Sequence, residues 1–148
     1  MTRSDTIERI YQLLLSCPDP DLAEPNGWTI KEIIGHLVDS ASNNHQRLAR
    51  YTPDENFVFP GYAQEECVRR AHYATFDFES LLALWLNYNR LYLHIVDHIP
   101  SEHLDSPLTI GSHATMTLGE LIEDYFVHLQ KHEEQIERIL ENKSRRET

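Results

Sequence analysis

The chain has 148 residues, 41% of them hydrophobic, which is enough for one domain over residues 1–148 with a single core. Its 24 acidic residues outnumber 13 basic ones, and the formal net charge of −11 would repel the phosphates of nucleic acid. The two cysteines are too few for a disulfide framework, and no apolar leader or membrane-length apolar run occurs. We therefore expect a cytoplasmic protein that binds neither nucleic acid nor membranes.

Two amphipathic helices are predicted in the first third of the chain. The first covers residues 5–16, with Asp5 as its cap, and stops before Pro18 because proline lacks the amide proton of a helical residue. The second begins with a capping box, in which the side chains of Thr29 and Glu32 each bond the other residue's backbone. Its apolar stripe runs to about position 50.

A polar strip follows the flank of this second helix. His36, Ser40, Asn43 and Arg47 recur at steps of four, three and four residues beside the apolar face. Because a solvent-facing strip more often carries Lys and Glu, these compact groups predict a polar pocket. Ser40, Asn43 and Arg47 could position a substrate, with Arg47 binding a carboxylate in bidentate fashion. The alternative is that Arg47 pairs with an acidic residue on the surface.

A third long helix is predicted over residues 77–99. Before it lie an irregular connection at residues 51–60 and a short helix within residues 61–73. The third helix is apolar over a wide arc, because Leu84, Leu91 and Ile95 extend its stripe beyond what a bundle core needs. An exposed apolar face of this kind predicts a homodimer. Alternatively, the connection at residues 51–73 folds over that face and covers it.

The fourth helix is predicted over residues 117–140, after a loop at residues 101–116 that has room for a short hairpin. Thr117 and Glu120 form its capping box, and the charged tail ENKSRRET that follows is expected to fray. Four long amphipathic helices predict an all-α fold, namely an up-and-down four-helix bundle or one with a longer crossover.

Three of the nine histidines suggest a metal site. His128 and His132 lie one turn apart on the fourth helix, so both imidazoles can point at one ion. His36 lies on the corresponding flank of the second helix and could add a third nitrogen if the two helices are neighbours. The alternative is that all three bond to backbone or water at the edge of the core. His94 and His98 share the spacing but point away from their helix's apolar face, so we expect them to be solvated.

The motifs around these histidines resemble a known family. W-T-x-x-E-I-x-G-H-L-x-D-S, followed near the end by T-L-G-E-L-I-x-x-Y-x-x-H-x-x-x-H-x-x-Q-I, is similar to the DinB-like superfamily, which includes the YfiT-type proteins assigned as metal-dependent hydrolases. The resemblance implies a four-helix bundle with a divalent metal on three histidines, here His36, His128 and His132. Some relatives are thiol-dependent transferases or isomerases that use bacillithiol, mycothiol or glutathione.

A divalent ion on three histidines suits several functions. Imidazole ligands favour Zn, Ni or Fe, and such an ion can lower the pKa of bound water, as in a hydrolase, or of a low-molecular-weight thiol, as in an S-transferase. Asp124, one turn before His128, is the candidate proton acceptor, although it could equally be a solvated carboxylate. A small-molecule substrate is expected in either case. The rival hypothesis is a non-catalytic, stress-related bundle that binds a metal or ligand.

Overall fold

The computed structural model describes residues 2–148 and is predominantly helical. Its helices are α1 Arg3–Leu15, α2 Ile30–Arg50, α3 Gln64–Ala71, α4 Phe78–Asp97 and α5 Leu118–Glu147, with short 3-10 turns at Tyr73–Thr75 and Ser101–His103. None of the helices in this part of the chain is both long enough and apolar enough to cross a membrane. The predicted all-α bundle of four long helices, with an extra short helix between the second and third, is confirmed.

Capping boxes define the starts of three of the described helices. Those of α2 and α5, at Thr29 and Thr117, are as predicted. The predicted start of α1 is wrong by one turn, because Thr2 is the cap and Asp5 occupies the third helical position. The Thr2 hydroxyl accepts from the Asp5 amide at 3.1 Å, and the Asp5 carboxylate accepts from the Thr2 amide at 2.8 Å.

The end of α5 also differs from the prediction. The charged tail was expected to fray, but the helix continues to Glu147. Lys143 and Glu147 lie one turn apart, with 3.8 Å between ammonium and carboxylate. Such a pair adds a few tenths of a kcal/mol, roughly 0.3–0.5, to a solvated helix.

The apolar faces of the long helices meet in one core. α2 packs against α4 and α5, while α1 packs against the same two helices. Large side chains without solvent exposure fill the centre, among them Ile33, Leu37, Trp85, Tyr92 and Leu129. Burying each such side chain contributes about 1.5–3 kcal/mol, so this packing holds α2 and α5 side by side.

A small three-stranded sheet lies at the start of α5. The predicted hairpin is present as β2 Pro107–Ile110 paired with β3 Met116–Thr117, and β1 Phe57–Phe59 lies parallel to β2. The segment at residues 51–60 was predicted to be irregular, so β1 is a correction. Three residues are too few to show an alternating pattern, and β1 forms by pairing with a strand distant in sequence.

The connection between α2 and α4 docks on α2 through Tyr73. A Cβ atom on Gly35 would lie 2.2 Å from Cδ2 of Tyr73, so the ring reaches the helix only because residue 35 is glycine. The Tyr73 hydroxyl then donates to the Asp39 carboxylate at 2.6 Å. The connection therefore lies against α2 and leaves Leu84 and Leu91 of α4 47% and 44% exposed.

Candidate metal centre

Three imidazoles from α2 and α5 converge on one point. Nε2 of His128 lies 3.2 Å from Nε2 of His36 and 3.1 Å from Nε2 of His132. All three candidate ligand atoms lie within 4.8 Å of one another. His36 is 1% exposed, while His128 and His132 are partly buried at the edge of the core. The packing of α2 against α5 thus brings together the three histidines that the spacing suggested.

These separations fit a metal ion. Two nitrogens bound to one tetrahedral ion at about 2.0–2.1 Å lie about 3.3–3.4 Å apart, close to the two shortest separations here. Within residues 2–148, these histidines form one group of three possible ligands, and no fourth Cys, Asp, Glu or His joins it. A ligand set of three leaves a coordination position for water or substrate.

The charge state of the three rings also suits a metal. Burial lowers the pKa of His36 from 6.5 to about 3, with further lowering by His132 and His128. Burial, followed by His132 and Lys131, lowers the pKa of His128 to about 4. Burial lowers the pKa of His132 too, against a hydrogen bond to Gln135 that raises it. At neutral pH the rings are therefore uncharged, as metal ligation requires.

Contacts behind the rings orient them. Nδ1 of His132 donates to Oε1 of Gln135 at 2.9 Å, which leaves the lone pair of Nε2 free to bind a metal. The indole of Trp28 lies against His36, with 5.0 Å between ring centroids. Sequence reasoning assigned no site role to Gln135 or Trp28. The signal for Gln135 was its place three residues after His132, within the hydrogen-bonding reach of one helical turn.

An ion pair fixes the register of α5 beside His132. Glu133 is buried, and its two carboxylate oxygens accept from Nε and an Nη of Arg9 at 2.6 and 2.8 Å. This bidentate pair joins α1 to α5. Because Glu133 faces α1, the adjacent His132, about 100° around the helix, lies on a different side, towards His36 of α2.

A cavity of about 290 Å³ opens next to His128. Its polar lining is made of Ser40, Asn44, Arg47, Tyr62 and Asp124, and its apolar lining includes Ile110, Met116 and Leu121. Because Ile110 and Met116 belong to the sheet, the sheet contributes to the wall of the cavity that His128 lines. Of the predicted site residues, Ser40, Arg47 and Asp124 lie together here.

Asn43 does not line this cavity, and its neighbour Asn44 does. The Asn43 amide donates instead to the carbonyl of Asp39 at 2.9 Å. At about 100° per residue, Asn44 lies between the polar strip and the apolar stripe of α2, whereas Asn43 lies on the solvent side. The angle of each residue from the apolar stripe predicts Asn44 as a lining residue of the cavity. The step size along the polar strip does not.

The second H-x3-H pair remains outside any such cluster. His94 and His98 are exposed on α4 with 4.3 Å between their ring centroids, and Nδ1 of His98 donates to the His94 carbonyl at 2.7 Å. The prediction that this pair is solvated is confirmed.

Comparison with known proteins agrees with the helical-bundle fold. A model of the DinB superfamily matches residues 4–136. A solved structure, that of YfiT from Bacillus subtilis, superposes with a TM-score of 0.76 at 17% sequence identity, covering 97% of this chain and 90% of that one. YfiT is described as a probable metal-dependent hydrolase with an unusual four-helix bundle topology. Comparison with curated proteins gives no match.

Proposed function

Because the chain belongs to the DinB superfamily, we propose that it is a metal-dependent hydrolase that acts on a small molecule. The observation that carries this proposal is the convergence of three uncharged imidazoles, from His36, His128 and His132, of which His128 lines a cavity. The description of the similarly folded YfiT agrees with it. The absence of a fourth possible ligand within residues 2–148 favours an enzyme over a purely structural metal site.

Different residues of the chain would bind the ion, accept a proton and orient the substrate. The three Nε2 atoms would hold a divalent ion such as Zn, Ni or Fe. Such an ion would lower the pKa of bound water. Asp124, which is exposed and lines the cavity beside His128, is the proposed acceptor of the proton released there. Ser40 and Asn44 offer a hydroxyl and an amide to orient substrate, while Ile110 and Met116 exclude water from the opposite wall.

A second candidate is a thiol-dependent S-transferase. The specific observation in its favour is Arg47, a buried cation in the wall of the same cavity. A low-molecular-weight thiol with carboxylate groups could place its anionic end on Arg47 and its sulfur near the histidines. In this reaction the ion would favour the thiolate form of the cosubstrate, which is the attacking form.

Metal analysis followed by activity screening separates these candidates. The purified protein would be stripped, reloaded with Zn, Ni or Fe, and assayed on panels of esters, amides and electrophiles, with and without thiols. Metal-dependent turnover without a thiol is expected for the hydrolase, and turnover only with a thiol would favour the transferase. Equal activity of stripped and loaded protein would contradict both.

Asp124→Asn tests the proposed proton acceptor. Because general base catalysis contributes about 10²–10⁴-fold, this variant should lose turnover by that order while keeping its metal content. Asp97→Asn, an exposed carboxylate of α4 that does not line the cavity, is the matched control. Unchanged turnover in Asp124→Asn would remove this residue from the mechanism.

A further inference from the structure

Arg47 is a buried cation without an acidic partner in the described part of the chain. Arg47 is 7% exposed, and it takes part in none of the ion pairs within residues 2–148. The groups that act on its charge are the phenols of Tyr62 and Tyr92, and burial raises the pKa of both, so both are neutral at neutral pH. A buried charge is unfavourable unless it is paired or hydrogen-bonded, so such a residue calls for a partner.

The guanidinium is held in place and still has donors to offer. Nη1 of Arg47 donates to Oδ1 of Asn44 at 3.2 Å, and the Asn44 amide donates in turn to the Ser40 carbonyl at 2.8 Å. No other hydrogen bond from the guanidinium forms within residues 2–148. A guanidinium has five N–H donors in a rigid fork, so the remaining ones can bind a planar anion.

Arg47 lies where two cavities meet. The cavity that begins at His128 and a second one, also of about 290 Å³, share Arg47, Tyr62, Ile110 and Met116 as lining residues. The second cavity continues to Gln64 and His113. A molecule that fills the first cavity would therefore contact both His128 and Arg47, against apolar side chains.

We infer that this cavity takes a small molecule with an apolar body and a carboxylate, and that Arg47 binds the carboxylate. Arg47 is the one Lys or Arg among the described residues that line the two cavities, and Asp124 adds a negative charge near His128. One cation beside one carboxylate suits a monoanion better than a phosphate dianion. The inference deepens the proposed function by naming its substrate class, although the carboxylate site itself needs no metal.

Titration calorimetry on metal-stripped protein tests the carboxylate site directly. Removal of the metal prevents the anion from binding to the ion instead of to Arg47. Benzoate and benzamide have nearly the same shape but differ in charge. Wild type should prefer benzoate by about tenfold or more, the range of a charge-assisted bidentate contact.

Variants at two arginines of α2 test whether the preference for benzoate over benzamide depends on Arg47. Arg47→Met should abolish it, and Arg47→Lys should keep only part of it because an ammonium lacks the planar fork. Arg50→Met removes the same charge from the exposed end of α2 and should bind like wild type. Circular dichroism checks that each variant is folded, and Arg47→Lys carries the test if Arg47→Met does not fold.

Three outcomes would overturn the inference: equal binding of benzoate and benzamide by wild type, a preference that persists in folded Arg47 variants, or tighter binding of inorganic phosphate than of benzoate. Failure of the hydrolase proposal would look different, with no metal bound but the benzoate preference intact. In zinc-loaded protein, a comparison of 3-mercaptopropanoate with butanoate tests whether the carboxylate belongs to a thiol cosubstrate or to a hydrolytic substrate. A gain for the thiol supports a thiol cosubstrate on Arg47, and equal affinity supports a hydrolytic substrate there.

Discussion

The two H-x3-H pairs of this chain have the same spacing and entirely different surroundings. His128 and His132 on α5 have 4.5 Å between ring centroids, and His94 and His98 on α4 have 4.3 Å. The α5 pair is partly buried and meets His36 across the bundle, with its ring nitrogens directed at one point. The α4 pair is exposed, and one of its ring nitrogens is bonded to its own helix.

This difference shows that the helical face, and not the spacing, makes a candidate ligand pair. Two residues four apart approach each other on any helix. A third ligand comes only from a neighbouring helix, so the pair must lie on the face that packs. Burial on that face also keeps the rings uncharged at neutral pH, as the lowered pKa of His128 illustrates.

The largest expected effect is on metal binding. His36→Ala, His128→Ala and His132→Ala should each lose most of the bound divalent ion, by about 100-fold or more in affinity, because even an outer contact contributes about 10–100-fold. The double variant His94→Ala/His98→Ala should bind like wild type. Elemental analysis and competition titration provide the measurement. Equal losses in both sets would contradict the assignment of the α5 pair.

Chelation should lower stability without unfolding the bundle. The core is built from the apolar faces of all the long helices and needs no metal ligand, so helicity by circular dichroism should survive metal removal at room temperature. At a free metal concentration of about 100 Kd, linkage predicts a loss of about 2.7 kcal/mol, or roughly 5–10 °C in Tm. His128→Ala should show no such drop on chelation, while His94→Ala/His98→Ala should keep it. Unfolding on chelation would instead identify a structural metal site.

A smaller effect is expected at Gln135, which orients His132 from behind. Gln135→Ala should weaken metal binding by about tenfold, because the ring loses the acceptor that holds Nδ1. Gln130→Ala, an exposed glutamine on the same helix, is the matched control. Identical affinities for the two variants in a competition titration would mean that the hydrogen bond does not tune the site.

The smallest effect concerns the face that carries the other pair. Leu84 and Leu91 are exposed on α4 and lie seven residues apart, in line with His98. We expect this face to mediate a two-fold dimer that Leu84→Glu/Leu91→Glu would dissociate, with metal content unchanged. Light scattering measures the change. A wild-type mass near 17.3 kDa at micromolar concentration would exclude the dimer.

Much of the candidate site could be predicted because it depends on local pattern. Apolar periodicity and capping boxes located the long helices, and the flank positions of His36, His128 and His132 selected the three rings that converge. The step size along the polar strip points to Asn43, whereas Asn44 lines the cavity because it lies closer to the apolar stripe. A charged tail at a chain terminus predicts fraying, whereas the pairing of Lys143 with Glu147 one turn apart supports a continuous helix.

Other features were decided by contacts between distant segments. β1 forms only because β2 lies beside it, and the docking of Tyr73 requires both Gly35 and the fold of the connection. The absence of an acidic partner for Arg47 within residues 2–148 likewise depends on which distant segments surround it. The sequence by itself determined which groups are present and which helical face bears them, since both follow from residue type and a period of 3.6. The tertiary structure alone decided which of these groups meet, because partners, burial and charge balance depend on residues far apart in the chain.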